Sequence, residues 1–183
     1  MTITKFVFID LDETLIYAQF CGRTDPRSVK LTNSYSGIKE TAAILRVPSP
    51  IDNKNTLEYY SSELRPGAIQ LLSALRKKYT VLMLTAATID YAEANNEAHG
   101  LGFSEAQIYG REHTESAPLL SSEQFKNGKA YLIDNLPRAD NTRKMGYLKL
   151  LNPVYLQIDD YYGRIDEAIT AEQISTFLKE IAD

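Results

Sequence analysis

The sequence predicts an α/β fold: a parallel sheet flanked by helices, with a small subdomain inserted after the first strand. Three observations predict it. Short, continuous apolar runs recur along the chain, and runs of this length suit strands buried on both faces. Helical patterns lie between them, and strand–helix alternation implies right-handed crossovers around a parallel sheet. One polar stretch, 18–63, interrupts the alternation. Its length is improbable for a structureless loop in a small domain, so it is expected to be an insert over one end of the sheet.

The elements follow in order. Phe6-Val-Phe-Ile9 is the first strand. Within the insert, Val29-Lys-Leu-Thr32 and Leu57-Glu-Tyr-Tyr60 have the composition of short exposed strands. Pro66 suits a first helical position, and the helix runs through Ile69, Leu72 and Leu75 to Lys78. Val81-Leu-Met-Leu84 is the next core strand. A helix from Thr88 to His99 follows, stopped by Gly100 and Gly102. Ser121 to Gln124 spells a capping box for a short helix ended by Gly128. Tyr131-Leu-Ile133 and Val154-Tyr-Leu-Gln-Ile158 complete the strands. Thr170 to Gln173 spells a second capping box, ahead of Ile174, Phe177, Leu178 and Ile181 on one helical face. The expected division is a core of 1–17 and 64–183 and an inserted cap of 18–63.

Composition narrows the function classes. A chain of 183 residues buries enough surface to fold without disulfide or metal staples. Its net charge of −4 argues against bulk nucleic-acid binding. Cys21 is the only cysteine, and His99 and His113 are the only histidines. An internal disulfide and a multi-cysteine zinc site are therefore excluded, and a histidine-rich metal site is not expected. No apolar run is long enough to span a membrane or to form a secretory leader, and the expected setting is cytoplasmic or otherwise intracellular.

The chemistry-bearing signal is Asp10-Leu-Asp-Glu-Thr-Leu15, directly after the first strand. Ligands of open α/β sheets bind outside the carboxyl ends of the strands. Two carboxylates two residues apart can point into one crevice there. Asp10 suits nucleophilic attack on phosphorus, and Asp12 suits proton transfer to the leaving oxygen and from water. Thr85 ends a strand just before a helix, so its hydroxyl and the amides near it, Ala86 included, suit an anion. Asp134 and Asn135 end another strand with hard oxygen donors suited to Mg²⁺. Taken singly, each of these features also suits a turn or a helix cap.

The Asp-x-Asp-x-Thr string resembles motif I of the haloacid dehalogenase (HAD) superfamily. The form Asp-Leu-Asp-Glu-Thr-Leu resembles the branch containing the small phosphatases of the RNA polymerase II C-terminal domain. Leu64-Arg-Pro-Gly67, Leu84-Thr-Ala-Ala87 with Tyr91-Ala92, Tyr109-Gly-Arg-Glu112 and Leu132-Ile-Asp-Asn-Leu-Pro137 resemble later segments of that branch in order. The resemblance implies a HAD-like Rossmannoid sheet and a Mg²⁺-dependent phosphatase working through an aspartyl-phosphate. The implied metal ligands are Asp10, the Asp12 carbonyl, Asn135, and Asp134 directly or through water. Thr85 and Ala86 would bind phosphate.

The pattern departs at the motif III lysine. Lys126 and Lys129 are the candidates, with Arg111 as an alternative positive charge. Tyr17, Ala87 and Leu136 also differ from the branch, and Asp159-Asp160 is a rival metal pair. The implied substrate is a phosphorylated protein. A nucleotide, a polynucleotide end or another small phosphomonoester stays open, as do a non-catalytic phosphoryl-binding module and a phosphotransferase.

Overall fold

The structure is a computed structural model that describes residues 4–24, 41–51, 56–114, 125 and 128–182. A five-stranded, wholly parallel sheet forms the centre. Its strands are β1 (Lys5–Ile9), β5 (Thr80–Leu84), β6 (Ile108–Tyr109), β7 (Lys129–Asp134) and β8 (Val154–Gln157), in the order β6-β5-β1-β7-β8. The chain runs outward from β1 in both directions, so the carboxyl ends of β1, β5 and β7 meet at one crevice.

Both faces of the sheet's centre are covered, which is why β1, β5 and β7 are apolar over their inner positions, Phe6–Ile9, Val81–Leu84 and Ala130–Ile133. Val7 and Ile9 of β1 point to one side, with Val81, Met83 and Ile133. There they pack under Leu71, Leu72 and Leu75 of α1 (Ala68–Arg76) and Phe177 and Ile181 of α5 (Ala171–Ala182). Phe6 and Phe8 point the other way, with Leu82 and Leu132. They pack on Phe125 and on Tyr147 and Leu148, at the end of α4 (Thr142–Tyr147). The two side-chain sets alternate along each strand, as the pleat requires.

The chain between β1 and α1 holds a separate antiparallel sheet of β2 (Ile16–Thr24), β3 (Ala43–Pro48) and β4 (Leu57–Leu64), with β4 in the middle. Leu57-Glu-Tyr-Tyr60 is thus half of a central strand rather than an exposed one. This sheet is held to α2 (Ile89–His99): the buried Ser62 hydroxyl donates to Asn95 Oδ1 at 2.6 Å and lies 2.8 Å from His99 Nε2, while Tyr60 packs edge-on against Tyr91. Val29–Thr32 and the Ser121–Gln124 capping box lie outside the described residues.

Local expectations resolve in detail. The Thr170 capping box forms: Thr170 N–H donates to Gln173 Oε1 at 2.9 Å, and Gln173 N–H donates to Thr170 Oγ1 at 3.2 Å. Gly100 closes α2 in the left-handed conformation. The first helix, however, begins at Ala68, not Pro66. Gly67 precedes it at φ 86°, a turn that ordinary residues resist. No helix among the described residues is long and apolar enough to cross a membrane.

Gly67 also sits against the loop entering α5, where an added Cβ would lie 2.2 Å from the Ile169 carbonyl oxygen. Gly67→Ala is expected to lower stability by about 2 to 5 kcal/mol, combining backbone strain with overlap. Gly100→Ala, at φ 60° with nothing within 4 Å of the new methyl, should cost only about 1 kcal/mol. Urea unfolding of the two variants checks the contrast.

Candidate functional site

Asp10 leaves the end of β1, and its backbone N–H still donates to Ile133 of β7, at 3.0 Å. This backbone bond holds Asp10 beside Asp134, the last residue of β7. Both carboxylates are buried, at 4% and 0% exposure. The turn that follows is closed by Leu15 and Ile16 N–H groups donating to Leu11 O, and Glu13 adopts φ 58° within it. Thr14 ties this turn to β7: Asn135 N–H donates to Thr14 Oγ1 at 3.1 Å, and the Thr14 hydroxyl lies 3.1 Å from Asn135 Oδ1.

A cation sits between the two carboxylates. Lys144 Nζ is 2.5 Å from Asp10 Oδ1 and 2.7 Å from Asp134 Oδ2, and only 3% of Lys144 is exposed. Burial pulls the ammonium toward the neutral form, but Asp10 and Asp134 outweigh it and hold its pKa above the ordinary lysine value. Burial pushes the Asp10 carboxyl up to about 7, against the pull of Lys144 and with a further push from Asp134. Asp12 is also raised by burial, opposed by a hydrogen bond from the Tyr91 hydroxyl to its Oδ1 at 2.6 Å.

Lys144 is the lysine that the structure places at the carboxylates, and the sequence reading did not name it. Lys129 opens β7 beside Lys5, five residues before Asp134, so it lies roughly 16 Å from the site at the wrong end of the strand. Its ammonium instead lies over the Tyr131 ring. Lys126 lies outside the described residues. Lys144 follows Asp134 on the short helix α4, where Tyr147 and Leu148 are its i+3 and i+4 neighbours and are both buried. A lysine on the apolar face of a helix was the available signal.

Thr85 lies directly after β5 with 1% exposure, and its hydroxyl accepts from Ala87 N–H at 3.1 Å. Its own proton has no acceptor among the described residues. The amides near it are less open than the sequence suggested, since the Ile89 N–H donates to Glu112 Oε2. Ala86 is exposed at the rim, and its carbonyl accepts from Arg111 Nε at 3.0 Å. Asp10, Asp12, Thr85, Asp134 and Asn135 therefore share one end of the sheet. Of the rival pair after β8, Asp159 offers its carbonyl to Arg65, whereas Asp160 reaches Asn135.

Beside the carboxylates opens a cavity of about 380 Å³. Asp12 and Arg111 lie at its floor and rim, and Phe20, Val47, Tyr60 and Tyr91 form an apolar wall. Phe20 packs edge-on to Tyr60, and Tyr60 to Tyr91. Among the described residues no three acidic, histidine or cysteine side chains form a metal cage. The oxygens present nevertheless suit a hard cation that keeps several waters, as Mg²⁺ does: one carboxylate, one main-chain carbonyl and one amide oxygen. Among the described residues, Lys144 is the cation that pulls on both Asp10 and Asp12.

Comparison with known proteins bears on the family and the fold. The family described as NLI interacting factor-like phosphatase matches residues 5–114. No curated protein sequence matches the chain. Among solved structures, a variant of fission yeast RNA polymerase II CTD phosphatase Fcp1 bound to beryllium fluoride aligns with a TM-score of 0.53 at 16% identity, covering 96% of this chain and 49% of that one. Another structure of Fcp1, described as an essential RNA polymerase II CTD phosphatase, aligns with a TM-score of 0.55 at 17% identity, covering 96% and 48%. The chain thus spans about half the length of these solved relatives, and at such identities the likeness is one of fold.

The Lys144 contacts make a stability prediction. Lys144→Met leaves Asp10 and Asp134 buried without their cation and should cost about 3 to 5 kcal/mol near pH 8. Removing the ammonium raises the folded-state pKa of Asp10 further above its unfolded value. The folded variant then binds the extra proton, so its deficit shrinks as pH falls toward the unfolded carboxylate range. Urea midpoints of both proteins at pH 5 and pH 8 check the sign.

Proposed function

We propose that this chain, which belongs to the NLI interacting factor-like phosphatase family of the HAD superfamily, hydrolyses phosphomonoesters through an aspartyl-phosphate on Asp10. The observation that carries the reading is the convergence of buried Asp10, Thr85 and Lys144 with half-buried Asp12 at the carboxyl ends of adjacent parallel strands.

In the proposed reaction an Asp10 carboxylate oxygen attacks phosphorus, and the bond to the leaving alcohol oxygen breaks. Asp12 gives that oxygen a proton. Its burial-raised pKa favours the protonated acid at this stage, and the Tyr91 hydrogen bond fixes Oδ1 so that Oδ2 carries the proton. The Asp12 carboxylate then takes a proton from water, which attacks phosphorus, releasing phosphate and restoring Asp10. Lys144 offsets the charge of the phosphoryl oxygens, and the Thr85 hydroxyl donates to one of them. Mg²⁺ held by Asp10, the Asp12 carbonyl and Asn135, with Asp134 directly or through water, would supply further neutralisation of the phosphate dianion. Lys144 also supplies the cation whose apparent absence spoke for a non-catalytic module.

A phosphoprotein is the proposed substrate. The cavity is open and walled by β2–β4, a shape that suits a side chain flanking a phosphorylated residue, with Arg111 at the rim for main-chain carbonyls. In this reading residues 18–63 are the cap that shapes access. The Fcp1 proteins of similar fold are polymerase-tail phosphatases, which supports the substrate class without fixing the sequence recognised.

Release of phosphate from an aryl phosphate is expected with Mg²⁺ and is expected to vanish in EDTA. Asp10→Asn should lower turnover roughly a thousandfold or more while the fold, read by circular dichroism, is retained. Turnover retained in Asp10→Asn would overturn the nucleophile. Thr85→Val is expected to lower turnover by about 10²- to 10³-fold. Phosphopeptides should exceed nucleotides in kcat/KM; the reverse order would move the substrate to the nucleotide class.

A further inference from the structure

Asn135 is held in a way that a turn residue does not require. Its side-chain NH₂ donates one proton to Glu13 Oε2 at 3.1 Å and the other to Asp160 Oδ1 at 3.0 Å. An amide nitrogen has only those two protons. Its oxygen is therefore forced to the opposite end, where Thr14 and Asp10 lie. A flipped amide would aim its oxygen at two carboxylates.

The two carboxylates are themselves anchored. Asp160 Oδ2 accepts from the Tyr162 hydroxyl at 2.9 Å. The Glu13 carbonyl accepts from Tyr161 N–H at 2.8 Å. Arg65, 1% exposed, links the same two segments by donating to Thr14 O at 3.3 Å and Asp159 O at 2.7 Å. The loop after β8 and the turn after β1 are thus one unit built around the Asn135 amide.

We infer that Asp160, together with Glu13, is a positioning residue that fixes the orientation of the Asn135 amide and thereby sets the affinity of the site for its divalent cation. Among the described residues, the Asp160 carboxylate bonds to Asn135 and Tyr162 and not to Asp10 or Lys144, so it acts through Asn135. It is exposed, and replacing it removes no core packing. The inference rests on the metal-dependent reading above.

Titration calorimetry of the substrate-free protein with Mg²⁺ tests it. Asp160→Ala removes an acceptor of the Asn135 amide, and should weaken Mg²⁺ binding by about 10- to 100-fold, with Glu13→Ala behaving alike. Turnover of Asp160→Ala at saturating Mg²⁺ should stay within about threefold of the parent, with the metal-free urea midpoint unchanged. Equal Mg²⁺ affinity in parent and Asp160→Ala would overturn the positioning role alone. A lowered metal-free midpoint with unchanged affinity would make Asp160 merely structural. A parent that binds no Mg²⁺ would remove the metal reading, and the inference with it.

Discussion

Two neighbouring parallel strands end in aspartates, and this fold tolerates that only because an ammonium lies between them. β1 and β7 are in register, so Asp10 and Asp134 emerge side by side at the sheet's carboxyl edge, both inside the protein. Without Lys144 they would repel across a few ångströms of poorly polarisable interior. The placement of α4 follows from this. A helix of six residues is too short to be stable by itself. It is held by Tyr147 and Leu148 against the phenylalanine face of the sheet, and that anchorage delivers Lys144 to the carboxylates.

A second tier of contacts surrounds this centre. The main chain after β1 turns sharply through a left-handed Glu13, and Arg65 donates to the Thr14 carbonyl in that turn and to the Asp159 carbonyl beyond β8. Arg65 Nε also reaches Glu167 O at 2.7 Å, so one guanidinium joins the turn after β1, the loop after β8 and the approach to α5. A buried arginine is costly to desolvate, and here carbonyl oxygens accept its hydrogen bonds while the charges of Asp159 and Glu167 offset part of the loss. Rigid carbonyl contacts of this kind are suited to holding catalytic geometry, because they do not change with ionic strength as surface ion pairs do.

Much of this was legible in the sequence. The core strands were visible because a sheet covered on both faces needs apolar residues throughout, and Phe6-Val-Phe-Ile9 has no polar position to mark an outer face. The Thr170 capping box was visible because its partners are three residues apart. The paired aspartates were visible because both lie in one short string. Lys144 was not, since expectation placed the lysine before Asp134, and Thr142-Arg-Lys-Met-Gly-Tyr147 reads as an ordinary basic surface turn. Its role exists only through a contact with Asp10, 134 positions away in sequence. Asp134 and Asn135 were legible through the Leu132-Ile-Asp-Asn-Leu-Pro137 string, whereas no such string marks Lys144.

The last feature concerns the opposite edge of the sheet. Lys5 Nζ donates to the Ile181 and Ala182 carbonyls at 2.6 Å, clasping the start of β1 to the final turn of α5. The two ends of the described core therefore leave the molecule together, on the side away from the crevice. Anything joined there, whether a neighbouring domain, a fluorescent fusion or a surface linker, hangs behind the sheet, and the mouth of the cavity keeps a clear approach.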